Sequence, residues 1–169
     1  MAHSLKQAVR VILPAILASL LVNVFVAQAM VVEGPSMRPN LNWDQRVIVE
    51  KVTYGLIHGP RRGDVVVINR PEEKTLLVKR VVALPGETVA VCGGQVFING
   101  QPLEEAWPVR PGGPDYPRTR VPDGHVFVLG DNREESRDSR FFGPVPIEQV
   151  GGQVKLIVWP LDQIGLIRS

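Results

Sequence analysis

The pattern of apolar and polar positions divides the chain in two near residue 32. From Val11 to Val32, 22 consecutive positions carry no charge. As a helix rising ~1.5 Å per residue this run reaches roughly 33 Å, enough for a ~30 Å hydrocarbon core. Ser19, Asn23 and Gln28 dilute it, and Pro14 is placed to kink it near its start. Lys6 and Arg10 precede the run, so the positive-inside rule keeps residues 1–10 in the cytoplasm and exports the chain beyond the run. The same segment also reads as a cleavable leader, with Lys6 and Arg10 as its basic region and Ala27-Gln28-Ala29 as an A-x-A site. The apolar run continues through Met30-Val31-Val32, which favours an uncleaved anchor over 11–32. Either way, residues 33–169 lie outside the cytoplasm.

Beyond the anchor the apolar stretches become short, rich in Val and Ile, and bounded by turn residues, which predicts strands. Arg46–Val52 alternates, with Val47 and Val49 on one face and Ile48 on the other. Val65–Ile68 comes after Gly63-Asp64, and Thr75–Leu84 is closed by Pro85-Gly86. Thr88–Cys92 and Gln95–Ile98 flank Gly93-Gly94 as a hairpin, with a second turn at Asn99-Gly100. His125–Leu129 and Gln153–Trp159 supply two more strands. Five prolines between Glu104 and Gly124 predict a long irregular loop. The expected fold is an all-β domain of coiled antiparallel sheets behind one transmembrane helix.

Composition agrees with this division and removes several function classes. The formal charge of +2 comes from Lys6 and Arg10, and the exported part is neutral, so no nucleic-acid footprint is present. Cys92 is the only cysteine, which excludes an intramolecular disulfide and a thiolate metal cluster. His3, His58 and His125 are scattered without metal-ligand spacing, and no cofactor is implied.

The candidate chemistry begins at Gly34-Pro35-Ser36-Met37-Arg38-Pro39, a serine in a constrained turn just after the apolar run. A serine hydroxyl is a poor nucleophile without a base. No histidine sits in a triad-like context, whereas Lys79 lies inside the apolar strand Leu76-Leu77-Val78-Lys79-Arg80-Val81-Val82. Burial there would lower its pKa from ~10.4, and work near neutral pH needs a depression of roughly 2–3 units. The bland alternative is a strand lysine that snorkels to solvent. Gly130 to Gly143 is a dense Asp/Arg/Ser block, either a solvated loop or a rigid charge network.

Three separated blocks together resemble the bacterial type I signal peptidases. They are Ser36-Met37-x-Pro39, Lys79-Arg80-Val81-Val82-Ala83-Leu84-Pro85-Gly86-Glu87, and Gly130-Asp131-Asn132 with Ser136, Asp138, Ser139, Arg140 and Gly143. The resemblance implies a Ser-Lys dyad, with Ser36 as nucleophile and Lys79 as general base, and no metal. It implies that Ser136 accepts a hydrogen bond orienting the lysine, and that Asp131, Asp138, Arg80 and Arg140 form a supporting ion network. The Ser36 N–H would serve the oxyanion hole. Substrate contacts would fall at Met30, Val32, Gly34, Met37 and Val78, with the Met30–Gly34 strand pairing an extended substrate. The implied activity is removal of signal peptides from preproteins after small-x-small sites, by a monomer anchored in the bilayer of the cytoplasmic membrane.

Two positions depart from the family pattern. Gly34 replaces a serine that donates to the oxyanion in some members, and Asn40 stands where threonine usually follows the proline. The paired cysteines of some relatives are missing. A tethered β-domain that binds without catalysis is the rival reading, in which Ser36 and Lys79 are merely turn and strand residues. Self-cleaving repressors share such a dyad, but carry a DNA-binding domain where this chain has an apolar segment.

Overall fold

The computed structural model of the chain describes residues 10–16, 27–52, 58–72 and 75–168. Residues 10–16 form a short helix, α1. After it come the strands β1 (Ala27–Val31), β2 (Arg46–Glu50), β3 (Val65–Ile68), β4 (Leu77–Ala83), β5 (Thr88–Cys92), β6 (Gln95–Ile98), β7 (Gln101–Pro102), β8 (Tyr116–Arg120) and β9 (His125–Leu129). Helix α2 (Ser139–Phe142), β10 (Val145–Pro146), β11 (Val150–Trp159) and β12 (Gly165–Leu166) complete the chain.

Two antiparallel sheets result. The larger has the order β1-β2-β11-β3-β4-β9-β10, with β12 added to β11, and the smaller has the order β7-β6-β5-β8. In β2 the expected alternation holds, with Val47 and Val49 buried and Ile48 half-buried. In β4 it does not, because every residue from Lys79 to Ala83 is buried. The reason is its position between two cores. Val82 and Ala83 join Phe127, Leu129 and the inner side chains of β5 and β6. Val81 joins Val66, Ile68, Val126 and Val128. A third cluster, of Val32, Met37, Leu41, Val47, Val49, Val65 and Val67, lies under the turn that carries Ser36.

Two expectations need correction. The helix expected over 11–32 cannot reach its far end, because Ala27–Val31 is a strand paired residue by residue with Glu50–Arg46. Its apolar side chains continue the run in sequence while its backbone hydrogen bonds go to β2. Among the described residues no helix is long and apolar enough to cross a membrane; residues 17–26 of the expected anchor lie outside the described residues. The proline-rich stretch is also not wholly irregular, since β8 forms within it and pairs with β5. Pro117 is tolerated because β8 is an edge strand, where one side of the ladder needs no donor. Tyr116 anchors it, its ring 4.8 Å from that of Phe127.

Candidate active site

Ser36 lies five residues beyond β1 and Lys79 lies in β4, so three strands, β2, β11 and β3, separate their elements in the sheet. Neighbouring strands are ~4.8 Å apart, so a flat sheet would hold the two strands roughly 19 Å from one another. Yet the Lys79 amine donates to Ser36 Oγ at 2.8 Å. The sheet therefore curls until its first strand faces its fifth. Lys79 is only 3% exposed, and its amine also donates to the Val78 carbonyl at 3.0 Å. The snorkelling alternative is thereby removed.

The turn carrying Ser36 is held from both sides. Arg38 N donates to the Pro35 carbonyl at 3.1 Å and Leu41 N to that of Met37 at 2.9 Å, with Met37 and Leu41 buried beneath. From the polar block, Asn132 N donates to the Ser36 carbonyl at 3.0 Å. The Asn132 side-chain amide reaches the Pro35 carbonyl at 3.3 Å. Gly34 adopts φ 88°, a left-handed conformation that glycine takes without strain.

The four charged residues expected to form a supporting network are brought together, but as two pairs flanking Gly130. Arg80 and Asp131 are fully buried and meet through two bonds of 2.8 Å. Taking both charges out of water is costly, and further partners offset it. Arg80 donates to the carbonyls of Gly63 and Arg168 at 2.7 and 2.6 Å, and its guanidinium lies 4.5 Å from the centre of the Trp107 ring. Asp131 also accepts from the Asn40 amide at 2.7 Å, whose second bond goes to the Pro108 carbonyl at 2.8 Å. Asn40 thus has a structural account that its sequence position alone did not supply.

In the second pair, Arg140 grips Asp138 through Nε and Nη2, each at 2.9 Å. Asp138 also caps α2 by accepting from Arg140 N and accepts from Gly130 N at 3.0 Å. Arg133, buried between the pairs, donates to the Gly130 carbonyl at 2.9 Å and bonds Glu105. Arg133, Glu105 and Trp107 carry no sequence signal for these roles, and Asn132 and Asn40 stand in or beside the motif blocks without a role assigned. Their contacts run through backbone carbonyls and long-range packing, which leave no spacing pattern.

Ser136 differs from expectation. It is buried beside the site, but among the described residues its Oγ meets no hydrogen-bond partner, so the expected bond orienting Lys79 is not formed. Its neighbours are Gly130 and the Ser36 carbonyl: a Cβ built on Gly130 would lie 2.2 Å from Ser136 Oγ and 2.5 Å from Ser36 O. The expected substrate residues divide in the same way. Val32 and Met37, at 2% and 1% exposure, belong to the core, whereas Met30, Gly34 and Val78 are half-buried. Among the described residues no group of His, Cys, Asp or Glu side chains could hold a metal ion.

A hydroxyl bonded to a buried amine, with its turn pinned by a rigid polar block, is equipped for acyl transfer. Comparison with known proteins agrees. The family described as signal peptidase, peptidase S26, matches residues 5–159. Signal peptidase I of Leptolyngbya laminosa is 40% identical over 171 residues, covering 95% of this chain and 83% of that one. A probable signal peptidase I-1 of Synechocystis sp. is 37% identical, covering 98% and 88%. Signal peptidase I of Bacillus licheniformis is 33% identical, covering 96% and 92%. The chain is a serine peptidase, the class to which its site points. More narrowly, it belongs to the signal peptidase family, peptidase S26.

Proposed function

We propose that this chain removes N-terminal signal peptides from exported preproteins, cleaving after small-x-small sites with Ser36 as nucleophile and Lys79 as general base. The observation that carries the reading is the 2.8 Å bond from the Lys79 amine to Ser36 Oγ. Burial of Lys79 disfavours its ammonium form and so favours the neutral amine that a base must be. That amine takes the Ser36 proton as Oγ attacks the scissile carbonyl, and the Ser36 N–H stabilises the oxyanion. The resulting ammonium protonates the departing amine, leaving an acyl-enzyme. Lys79, neutral again, takes a proton from water, whose oxygen attacks the ester, and then returns the proton to Ser36. Both groups come from one chain, so a monomer suffices.

Two features support the substrate class. β1 is an edge strand with one side unpaired, suited to adding an extended peptide as a further strand. Met30 and Val78, the residues expected to line the substrate pockets, both pack on the core cluster that holds Val32 and Met37.

Membrane attachment belongs to the same proposal. Strand β1 begins at Ala27, so the uncharged stretch left for the anchor is Val11 to Val26, behind Lys6 and Arg10. The catalytic domain then lies on the outer side, where an inserted signal peptide emerges. The test is incubation of the purified protein with a preprotein bearing a small-x-small site, then N-terminal sequencing of the product. Cleavage after the second small residue is expected, with kcat lowered about 10²–10⁴-fold in Lys79→Ala and cleavage lost in Ser36→Ala. Cleavage that survives unchanged in both variants refutes the assignment.

A further inference from the structure

The segment between β7 and β8 leaves the smaller sheet at one edge and returns to it at the other. On the way it crosses the polar block. Arg110 forms a parallel bridge with Asn132: its N–H donates to the Asp131 carbonyl and its carbonyl accepts from Arg133 N, each at 2.9 Å. Such a bridge uses the groups of Asn132's two neighbours and leaves Asn132's own N–H pointing the other way. There it meets the Ser36 carbonyl at 3.0 Å. Arg110, Asn132 and Ser36 thus stand side by side, joined by backbone bonds alone.

Other contacts hold the segment to the same block. Glu105 bonds Arg133, and the Trp107 ring lies against the Arg80 guanidinium. The Pro108 carbonyl accepts from Asn40, and that of Gly112 accepts from Arg140 at 3.1 Å. At Gly113 the approach is so close that an added Cβ would run into the Arg133 carbonyl and Arg140 Nη1.

We propose that residues 105–113 are a positioning strap for Ser36, acting through Asn132. The smaller sheet, which supplies no group to the dyad, then takes part in catalysis by anchoring both ends of the strap. The inference rests on the reading of Ser36 as the nucleophile. Its physical basis is that Asn132 stands outside the strands, where a residue holds its partner only as firmly as it is itself held.

The full chain in detergent, cutting a peptide with one small-x-small site, tests this. Gly113→Ala forces the strap off the block, and kcat measured well below the variant's Tm should fall about 10–10²-fold. KM should stay near its original value, because the β1 edge is untouched. The acid limb of the pH–rate profile should keep its midpoint, because Lys79 stays buried in β4 and only the serine is misplaced. Gly100→Ala supplies the control. Gly100 has φ 84° and Gly113 φ 74°, so alanine strains both, but a Cβ on Gly100 meets nothing within 4 Å. That variant should lower Tm and leave kcat alone. Arg110→Pro deletes the N–H bonded to Asp131 and should lose kcat in the same way, whereas Arg110→Ala keeps that donor and should recover most of it. This pair decides the question if Gly113→Ala does not fold.

A kcat that survives both Gly113→Ala and Arg110→Pro overturns the strap. So does an equal loss in Gly100→Ala, which would make the effect one of general stability. A loss carried by KM, or by a displaced acid limb, also overturns it, since the segment would then act on the substrate or on Lys79. If the unaltered chain cuts no peptide, the peptidase reading itself fails, an outcome distinct from all of these.

Discussion

The backbone N–H of Asn132 donates to the carbonyl of Ser36 at 3.0 Å, which fastens the peptide unit of the proposed nucleophile to the polar block 96 residues further along the chain. Nothing in that bond depends on the Asn132 side chain. The charged residues around it, Asp131 and Asp138 with their arginines, act mainly by holding this stretch of backbone in place. Any effect they have on catalysis is expected to be one of position.

Gly130 gives a sharp test of that positioning. In Gly130→Ala the new Cβ would sit 2.2 Å from Ser136 Oγ and 2.5 Å from Ser36 O. Both neighbours lie in or against packed structure, so the strain should cost about 1–3 kcal/mol. Thermal unfolding should show the lower Tm, and peptide cleavage should fall by more than the unfolded fraction explains, because Ser36 is displaced.

Arg80 and Asp131 should behave as a unit. Asp131→Ala leaves a fully buried guanidinium without its carboxylate and should destabilise the fold by about 3–5 kcal/mol. Replacing both residues with apolar ones should cost clearly less than the two single changes added together. Denaturant titration of the three variants measures the coupling, and simple additivity would mean that the pair is not the unit its geometry suggests.

Asn40 connects the turn after Ser36 to that pair. Asn40→Ala removes the bonds to Asp131 and to the Pro108 carbonyl, with an expected loss of about 1–2 kcal/mol. Asn40→Thr, with one hydroxyl and a shorter reach, should recover part of the loss. Equilibrium unfolding compared across the three chains decides the order.

The pH–rate profile should have an acid limb governed by Lys79. Burial favours the neutral amine, so the folded-state pKa is expected below that of a free lysine. The reactive neutral form grows as pH rises through that pKa, so kcat/KM should climb with pH and then level off. A rate independent of pH from neutral to alkaline would contradict a lysine base.

How much of the fold and site is legible in the sequence depends on the kind of interaction. Val65–Ile68, Thr88–Cys92, Gln95–Ile98 and His125–Leu129 are strands with the bounds their turn residues and β-branched runs predict. β1 is hidden because Ala-Gln-Ala-Met-Val continues an apolar run, and no local pattern marks where a helix gives way to an edge strand. β8 is hidden by its prolines, whose cost vanishes only once its place at the sheet edge is known. Ser36, Lys79 and the Asp/Arg block are visible as motifs. The bond missing from Ser136, and the links through Asn40 and Asn132, depend on a tertiary approach that sequence spacing does not encode.

The curl that brings β1 and β4 face to face has a consequence for the life of the enzyme. Ser36 and Lys79 meet only when β2, β11 and β3 are all seated between their strands, and β11 is among the last elements made. A partly synthesised or partly unfolded chain therefore holds Ser36 apart from its proposed base. If that pair carries the chemistry, a peptidase whose own Ala27-Gln28-Ala29 resembles its proposed target is expected to stay inert until β11 has joined the sheet, and its activity would then read out that the sheet has closed.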